Sequence, residues 1–463
     1  MTPPSDASVD SPVLPAPVPR RGPLPLVEFF RVLRDNMIAT YPEEAYEAEI
    51  IDRKIFGQHR FVLSQPAAIK HVLLDNAGNY QKTEIARRLL EPGLGRGLVT
   101  SEGETWRGHR RTMAPAFDHR SIAAYAPIMS AATEELLTDW SRLSVHEPVD
   151  VATAMMKLTL QIISRTMFSS DSDAMLAIMQ RGAERYQAEM RPNILDFLKF
   201  PAWLAALPRM RVADRTLGEF DAEIHRLIQR RSQVSASGHN DLLARLIAAR
   251  DDATGRGMTA KDVRDQVITI FMAGHETTAV AMTWIWYLLS QHPREEALLH
   301  AELAAVLGGR APTDADVGRL PYTRMVIEES MRLYPPVHTI ARAALVDDTL
   351  AGRPVPKGSS VLIVPWVLHR HRLLWKNPGA FIPDRFSAEQ SAARPRFSYL
   401  PFGGGRRICI GAAFAMTEAT VLLATIAQRY RLRLVPGHPV EPRGLITLRA
   451  RHGMRMVPEP RAT

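Results

Sequence analysis

The chain has 463 residues, of which 46% are apolar, and a formal net charge of +9. That length and composition supply a large core, and the single cysteine, Cys409, excludes an internal disulfide and fits a reducing compartment. The positive charge comes with no zinc-finger spacing or nucleic-acid motif, so it reads as solvated surface or as a docking face for an acidic partner.

Residues 1–25 are rich in proline and poor in large apolar residues, which predicts an extended, poorly ordered tail. The tail has no continuous apolar run for a secretory signal, and Asp6 and Asp10 are out of place in a mitochondrial presequence, so a cytoplasmic protein without a membrane span is expected. No repeat or low-complexity linker divides residues 26–463, which read as one domain. From Ile50 to Ser64 the pattern alternates around a turn at Gly57, as in a β-hairpin. Helical periodicity then dominates through "QPAAIKHVLLDN", "ETWRGHRRTMAPAF", "IMSAATEELLTDWSRL", "TAMMKLTLQIISRTMF" and "TLGEFDAEIHRLIQRRSQV", with "SQVSASGHN" as a surface loop. Thr259 to Gln291 predicts one buried helix roughly 50 Å long, opened by a capping-box-like Thr259 and Asp262 and stopped ahead of Pro293. The stretches "GRPVPKGSSVLIVPWVL" and "GLITLRARHGMRMVP" read as strands and turns, giving a mainly helical fold with a smaller β region.

The cysteine lies in "FGGGRRICIG", Phe402 to Gly411. A lone cysteine is commonly an inert buried hydrophobe. Here three features favour a thiolate: Gly403, Gly404 and Gly405 allow a tight turn with free N–H groups, a strong helix follows Gly411, and Arg406 and Arg407 add positive charge. A thiolate is a nucleophile or a metal ligand. No Cys-His-Asn pattern is visible, zinc and iron–sulfur sites usually take several cysteines, and haem iron takes one axial thiolate.

With Phe402, Gly405, Cys409 and Gly411 at matching spacing, this loop resembles the haem-binding loop of the cytochrome P-450 monooxygenases. The resemblance implies that family's fold, with a long central helix crossing a haem b whose iron is ligated by Cys409. Other stretches are similar to family motifs. "AGHETT" interrupts the central helix with Gly274, Glu276 and Thr277; Thr277 bonding back to the Ala273 carbonyl and Glu276 in a core pair is one reading. The resemblance instead implies a proton-delivering acid and alcohol, Glu276 and Thr277. "EESMR" places Glu329 and Arg332 on one helix face, as in any exposed ion pair. With Arg385 of "PDRF" it looks like the family's buried Glu-Arg-Arg network. "WRGHRR" puts Trp106 and Arg110 four apart, and the resemblance assigns them, with Arg407 and Arg342, to the haem propionates.

The function implied is insertion of one atom of dioxygen into a hydrophobic small molecule, such as a terpenoid, fatty acid or steroid. Electrons would come from a ferredoxin and an NAD(P)H-dependent reductase. A peroxide-dependent hydroxylase or isomerase ranks lower because the Glu276–Thr277 pair is intact, and a non-catalytic haem sensor would need no such pair. By the same resemblance the pocket draws on the region after Gln81, "ILDFLKFPAWLAAL", Phe271, Ala273, Gly274, Val337, His338, Ile340, Leu445 and Ile446. His338 is a candidate polar contact, although a loop histidine commonly faces water. Arg107, Arg111, His119 and Arg120 form a candidate docking patch for an acidic electron donor, or a solvated helix face.

Overall fold

The structure, a computed structural model, describes residues 13–461 apart from 170–176, 179, 183–184, 187–188, 191, 193, 198–201, 234–240 and 252–253. Most of the loop "SQVSASGHN" and part of "ILDFLKFPAWLAAL" therefore lie outside the described residues.

The central helix runs Ala260–Gln291. Thr259 caps it: its Oγ1 accepts from the Asp262 N–H at 3.1 Å, and the Asp262 carboxylate accepts from the Thr259 N–H at 3.1 Å. Pro293 opens the next helix, Pro293–Leu307, because proline lacks an N–H and a first-turn N–H would have no intrahelical acceptor. From Asp265 to Leu289 every residue of the central helix is buried except Met272, Ala273, Gly274 and Thr277. These four lie on one side, centred on Ala273 and Thr277 at i, i+4.

The helix Val151–Phe168 packs along one flank of the central helix, and Thr159 Oγ1 donates to the His275 carbonyl at 2.8 Å. The helices Pro321–Leu333 and Ala412–Arg429 cover another flank, where Trp284 stacks on Tyr334 with ring centroids 4.1 Å apart. The apolar stripes read from the sequence thus converge on one helix, since a helix apolar nearly all round is stable only when others surround it.

A five-stranded sheet stands to one side, in the order Ile50–Ile55, Gln58–Leu63, Ser360–Ile363, Ile340–Ala344, Tyr80–Gln81. Its hairpin turns at Phe56 and Gly57, both with positive φ (49° and 74°), the geometry of a tight two-residue turn. Within "GRPVPKGSSVLIVPWVL" the last residues depart from the strand reading: Pro365–Leu368 form a helical turn with proline in its first position.

Of the tail expected to be poorly ordered, residues 1–12 lie outside the described residues, and only the described part departs from expectation. Residues 13–25 are held: Tyr334 Oη donates to the Pro15 carbonyl at 3.0 Å, the Glu43 N–H donates to the Arg20 carbonyl at 2.9 Å, and Leu14 packs on the core. Prolines are already extended, so fixing them costs little conformational entropy.

Candidate active site

The cysteine loop hangs between the sheet and the helix Ala412–Arg429. The Cys409 N–H donates to the Phe402 carbonyl at 2.9 Å, and the Ile408 N–H donates to the Gly405 carbonyl at 3.2 Å, closing a compact turn. Gly405 sits at φ 65°, where a Cβ would lie 1.9 Å from the Leu73 carbonyl oxygen. Only glycine fits a left-handed position pressed against another backbone. Gly411 has φ −89°, and a Cβ there would make only ordinary contacts, with Phe117 and with Cys409 Sγ.

The Cys409 side chain is accessible at the loop's crest. Surrounding protein pushes its thiol up, opposed by the Gly411 N–H and the Arg110 guanidinium. The expected contribution of Arg406 and Arg407 to thiolate stabilisation is not seen. Arg406 is exposed, and Arg407 turns away to Glu102 and to the Ser101 carbonyl at 3.1 Å. The cation beside the sulfur is Arg110, whose Nη1 donates to the Ile408 carbonyl at 2.7 Å. Backbone donation and one cation do not outweigh the desolvation by surrounding protein; a metal ion would, since it removes the thiol proton outright.

Of the residues expected to hold two carboxylates, Trp106, Arg342 and Arg407 lie together, while Arg110 is on the Ile408 carbonyl. Arg407 stacks over Trp106 at 4.2 Å. Arg342 is held at about 10, lowered first by burial and then by Arg407. Lys82, which sequence reasoning missed, completes the group. Its Nζ reaches the Ser101 carbonyl and Glu102 at 3.3 and 3.4 Å, and burial, then Arg407 and Arg342, bring it down to about 7. Three crowded cations with one carboxylate, Glu102, are short of negative charge, and two haem propionates fit that deficit.

Glu276 and Thr277 diverge. Thr277 Oγ1 donates to the Ala273 carbonyl at 2.7 Å, as in the back-bonded reading, yet stays on the accessible face of the helix. Glu276 is buried one turn on from Met272, where its Oε1 accepts from Thr447 Oγ1 at 2.5 Å and from Arg449 Nε at 2.7 Å. Neither partner stood out in the sequence, because they lie 171 and 173 residues away. Next to Thr277, Thr278 bonds the side chain of Glu418, whose carboxyl is pushed up to about 8 by complete burial. Gly274 admits a close neighbour: a Cβ there would lie 3.3 Å from Ile163 Cδ1.

Pocket residues divide as well. Ala273 and Gly274 lie on the accessible face, Val337 is exposed, and Ile340, Leu445 and Ile446 are half-buried. Phe271 does not share that face. It is fully buried against Phe220 and His275, with ring centroids 5.1 and 4.8 Å apart, because it lies about 200° round the helix from Ala273. His338 does not face water: its Nε2 pairs with the Leu445 carbonyl at 2.8 Å, and burial lowers it to about 4.

The acid–arginine network is buried and goes on to the cysteine loop. Arg332 makes two 2.7 Å bonds to Glu329, both side chains are inaccessible, and Arg385 Nε lies 3.4 Å from Glu329. Arg332 also donates to the His369 carbonyl at 2.8 Å, and His369 Nε2 accepts from the Leu400 N–H at 2.9 Å, at the entrance of the loop. On the outer face, Arg111 is tied to Asp251 at 2.9 Å and Arg107 to Glu104, while His119, Arg120 and Arg406 are exposed.

The family profile described as cytochrome P-450 matches residues 12–449. The chain belongs to the cytochrome P-450 family. It is 38% identical to cyclooctatin synthase of Streptomyces melanosporofaciens over 95% of both chains. It is 34% identical to cyclooctat-9-en-7-ol 5-monooxygenase of the same organism, over 84% of this chain and 83% of that one. It is 32% identical to pentalenene oxygenase of Streptomyces avermitilis, over 86% and 88%. It is therefore a cytochrome P-450 monooxygenase for hydrophobic substrates, with haem b as cofactor. Among the described residues no helix is long and apolar enough to cross a membrane.

Proposed function

We propose that this cytochrome P-450 hydroxylates a terpenoid-like substrate in the cytoplasm, within a single catalytic domain spanning residues 26–463, using electrons from a ferredoxin and its NAD(P)H-dependent reductase. The observation that carries the catalytic assignment is the pairing of an accessible Cys409, on a loop only glycine can shape, with a central helix whose stretch Asp265–Leu289 is accessible solely around Ala273 and Thr277. Relatives named for acting on cyclooctat-9-en-7-ol and pentalenene support the substrate class. The half-buried apolar Ile340, Leu445 and Ile446 support it too.

Cys409 would hold the haem through its sulfur, and the haem would supply the reductive activation of dioxygen. Trp106 and Arg407, with Arg342 and Lys82, would hold and neutralise its propionates, while Arg110 steadies the Ile408 carbonyl and lends the sulfur positive charge. Glu329, Arg332 and Arg385 keep the loop in place through His369. Thr277 spends its proton on the Ala273 carbonyl, so its oxygen lone pairs face the accessible side as an acceptor that orients a proton donor there. Glu276, one residue earlier, is the acid that resupplies protons. The exposed Arg120 and Arg406 are cations left to meet an acidic donor protein, with the exposed His119 as a polar contact, whereas Arg111 is committed to Asp251.

The test compares wild type, Cys409→Ala and Thr277→Ala. Wild type should give the carbon monoxide difference band of thiolate ligation, and Cys409→Ala should lose it. Thr277→Ala should keep the band while diverting electrons from pentalenene oxidation to peroxide or water. Fully coupled turnover in Thr277→Ala would remove that hydroxyl from proton delivery.

A further inference from the structure

The pocket residues Ile340 and Ile446 come from separate parts of the fold. Ile340 opens the strand Ile340–Ala344, and its Cδ1 lies 3.8 Å from where a Cβ on Gly403 would stand, so it borders the cysteine loop. Ile446 stands at the tip of a hairpin of Pro442–Gly444 and Leu448–Ala450, joined by Leu445, Ile446 and Thr447. It packs on the apolar cluster that contains Ile163, the residue nearest Gly274 on the central helix.

His338 joins these two parts. It precedes Ile340 by two residues, and its Nε2 lies 2.8 Å from the Leu445 carbonyl. A carbonyl can only accept, so Nε2 carries the proton. Burial keeps the ring neutral, which leaves Nδ1 to accept from Thr339 Oγ1 at 3.0 Å, and Tyr41 Oη donates in turn to Thr339 Oγ1 at 3.4 Å. A single tautomer satisfies the whole chain, so the imidazole has one orientation.

The hairpin is shaped to meet that ring. A Cβ on Gly444 would lie 3.2 Å from His338 Nε2 and 2.7 Å from Ile38 Cγ2, so glycine is what lets the strand come this close. Asn36 holds the strand there, donating to the Pro442 carbonyl at 3.0 Å and accepting from the Gly444 N–H at 2.8 Å. At the far end of the loop, Thr447 bonds Glu276 and the Leu448 N–H donates to the Pro336 carbonyl at 3.0 Å. Inside it, the Leu445 N–H bonds the Thr447 carbonyl at 3.0 Å, and His338 ties the Leu445 end to the rest of the protein.

We propose that His338 is a specificity-determining positioning residue: by holding the Leu445 carbonyl it sets how far Ile446 stands from Ile340, and so the width of the pocket offered to an apolar substrate. This rests on the reading of Ile340 and Ile446 as pocket walls. Without the donor, the carbonyl is left unpaired and the loop turns to find another partner, carrying Ile446 with it.

The test uses haem-loaded protein and two iron-binding probes, imidazole, which is too small to reach the walls, and 4-phenylimidazole, whose ring extends toward them. Each is titrated by its Soret shift. His338→Phe keeps a ring and removes the donor; it should weaken 4-phenylimidazole about tenfold, the effect of misplacing one apolar group, and leave imidazole unchanged. His338→Gln, whose amide nitrogen reaches about as far as Nε2, should restore the affinity. Amide hydrogen exchange over residues 442–448 should be several-fold faster in His338→Phe and normal in His338→Gln. Unchanged exchange or unchanged 4-phenylimidazole affinity in folded His338→Phe overturns the proposal, as does a His338→Gln that behaves like His338→Phe. Should His338→Phe fail to fold, His338→Asn, whose amide stops short of the carbonyl, takes its place with the same expectations. Ile446→Ala separates the two readings. If it weakens 4-phenylimidazole while His338→Phe does not, the wall stands and the positioning role fails; if it has no effect, the wall reading itself fails and the proposal with it.

Discussion

Glu418→Gln should change how stability depends on pH. Glu418 is 2% exposed on the helix that follows the cysteine loop, and burial lifts its carboxyl from 4.5 to about 8 despite the hydrogen bond with Thr278. Between those values the unfolded chain has released the proton and the folded chain has kept it, so stability falls as pH rises through the window. The loss is absent below pH 4.5 and largest by about pH 8. Roughly 3.5 pH units at 1.36 kcal/mol each bounds it at about 5 kcal/mol. Glutamine keeps the size of the neutral acid and cannot ionise. The assay is urea unfolding of the haem-loaded protein, followed by tryptophan fluorescence at pH 5 and pH 8. Other titrating groups cancel in the difference between variant and wild type. Glu418→Gln should gain several kcal/mol on wild type between the two pH values. A stability difference that is the same at both would refute a neutral buried carboxyl.

Two further outcomes follow from the loop and its brace. Gly405→Ala places a methyl where the Leu73 carbonyl stands, at a φ that costs an L-residue about 1–2 kcal/mol before any overlap, so the loop must move. The carbon monoxide difference spectrum should lose its thiolate band; a normal band would show that the turn relaxes without displacing Cys409. Arg332→Met leaves the inaccessible Glu329 carboxylate with the Ile382 N–H at 2.9 Å and the 3.4 Å contact to Arg385, without its two-bond partner, and should cost about 3–5 kcal/mol in urea unfolding. A cost below about 1 kcal/mol would mean that Glu329 is not a desolvated charge.

The elements that local chemistry dictates were legible in the sequence. The central helix begins and ends at its capping box and proline, the hairpin turns at Gly57, and Cys409 stands out as the one thiol among glycines. Each signal is contained within a few residues, or within a helical repeat, so the chain alone determines it. The Glu329–Arg332 pair was legible in its i, i+3 spacing for the same reason, whereas the haem-loop, acid–alcohol and Arg385 readings came through resemblance to the family.

What tertiary structure decided is which side chain meets which. Arg110 rather than Arg406 or Arg407 lies beside the sulfur, because the helix Gly103–Met113 brings it there across 298 residues. Glu276 finds Arg449 and Thr447, His338 is buried on the Leu445 carbonyl, and Lys82 joins the cations around Arg407. Phe271 turns into the core because its neighbours fill that side, although its periodicity is as apolar as that of Ala273. Charge and burial at a site are sums over residues distant in sequence. Spacing fixes the helix face a residue occupies, but only the packed fold fixes what that face meets.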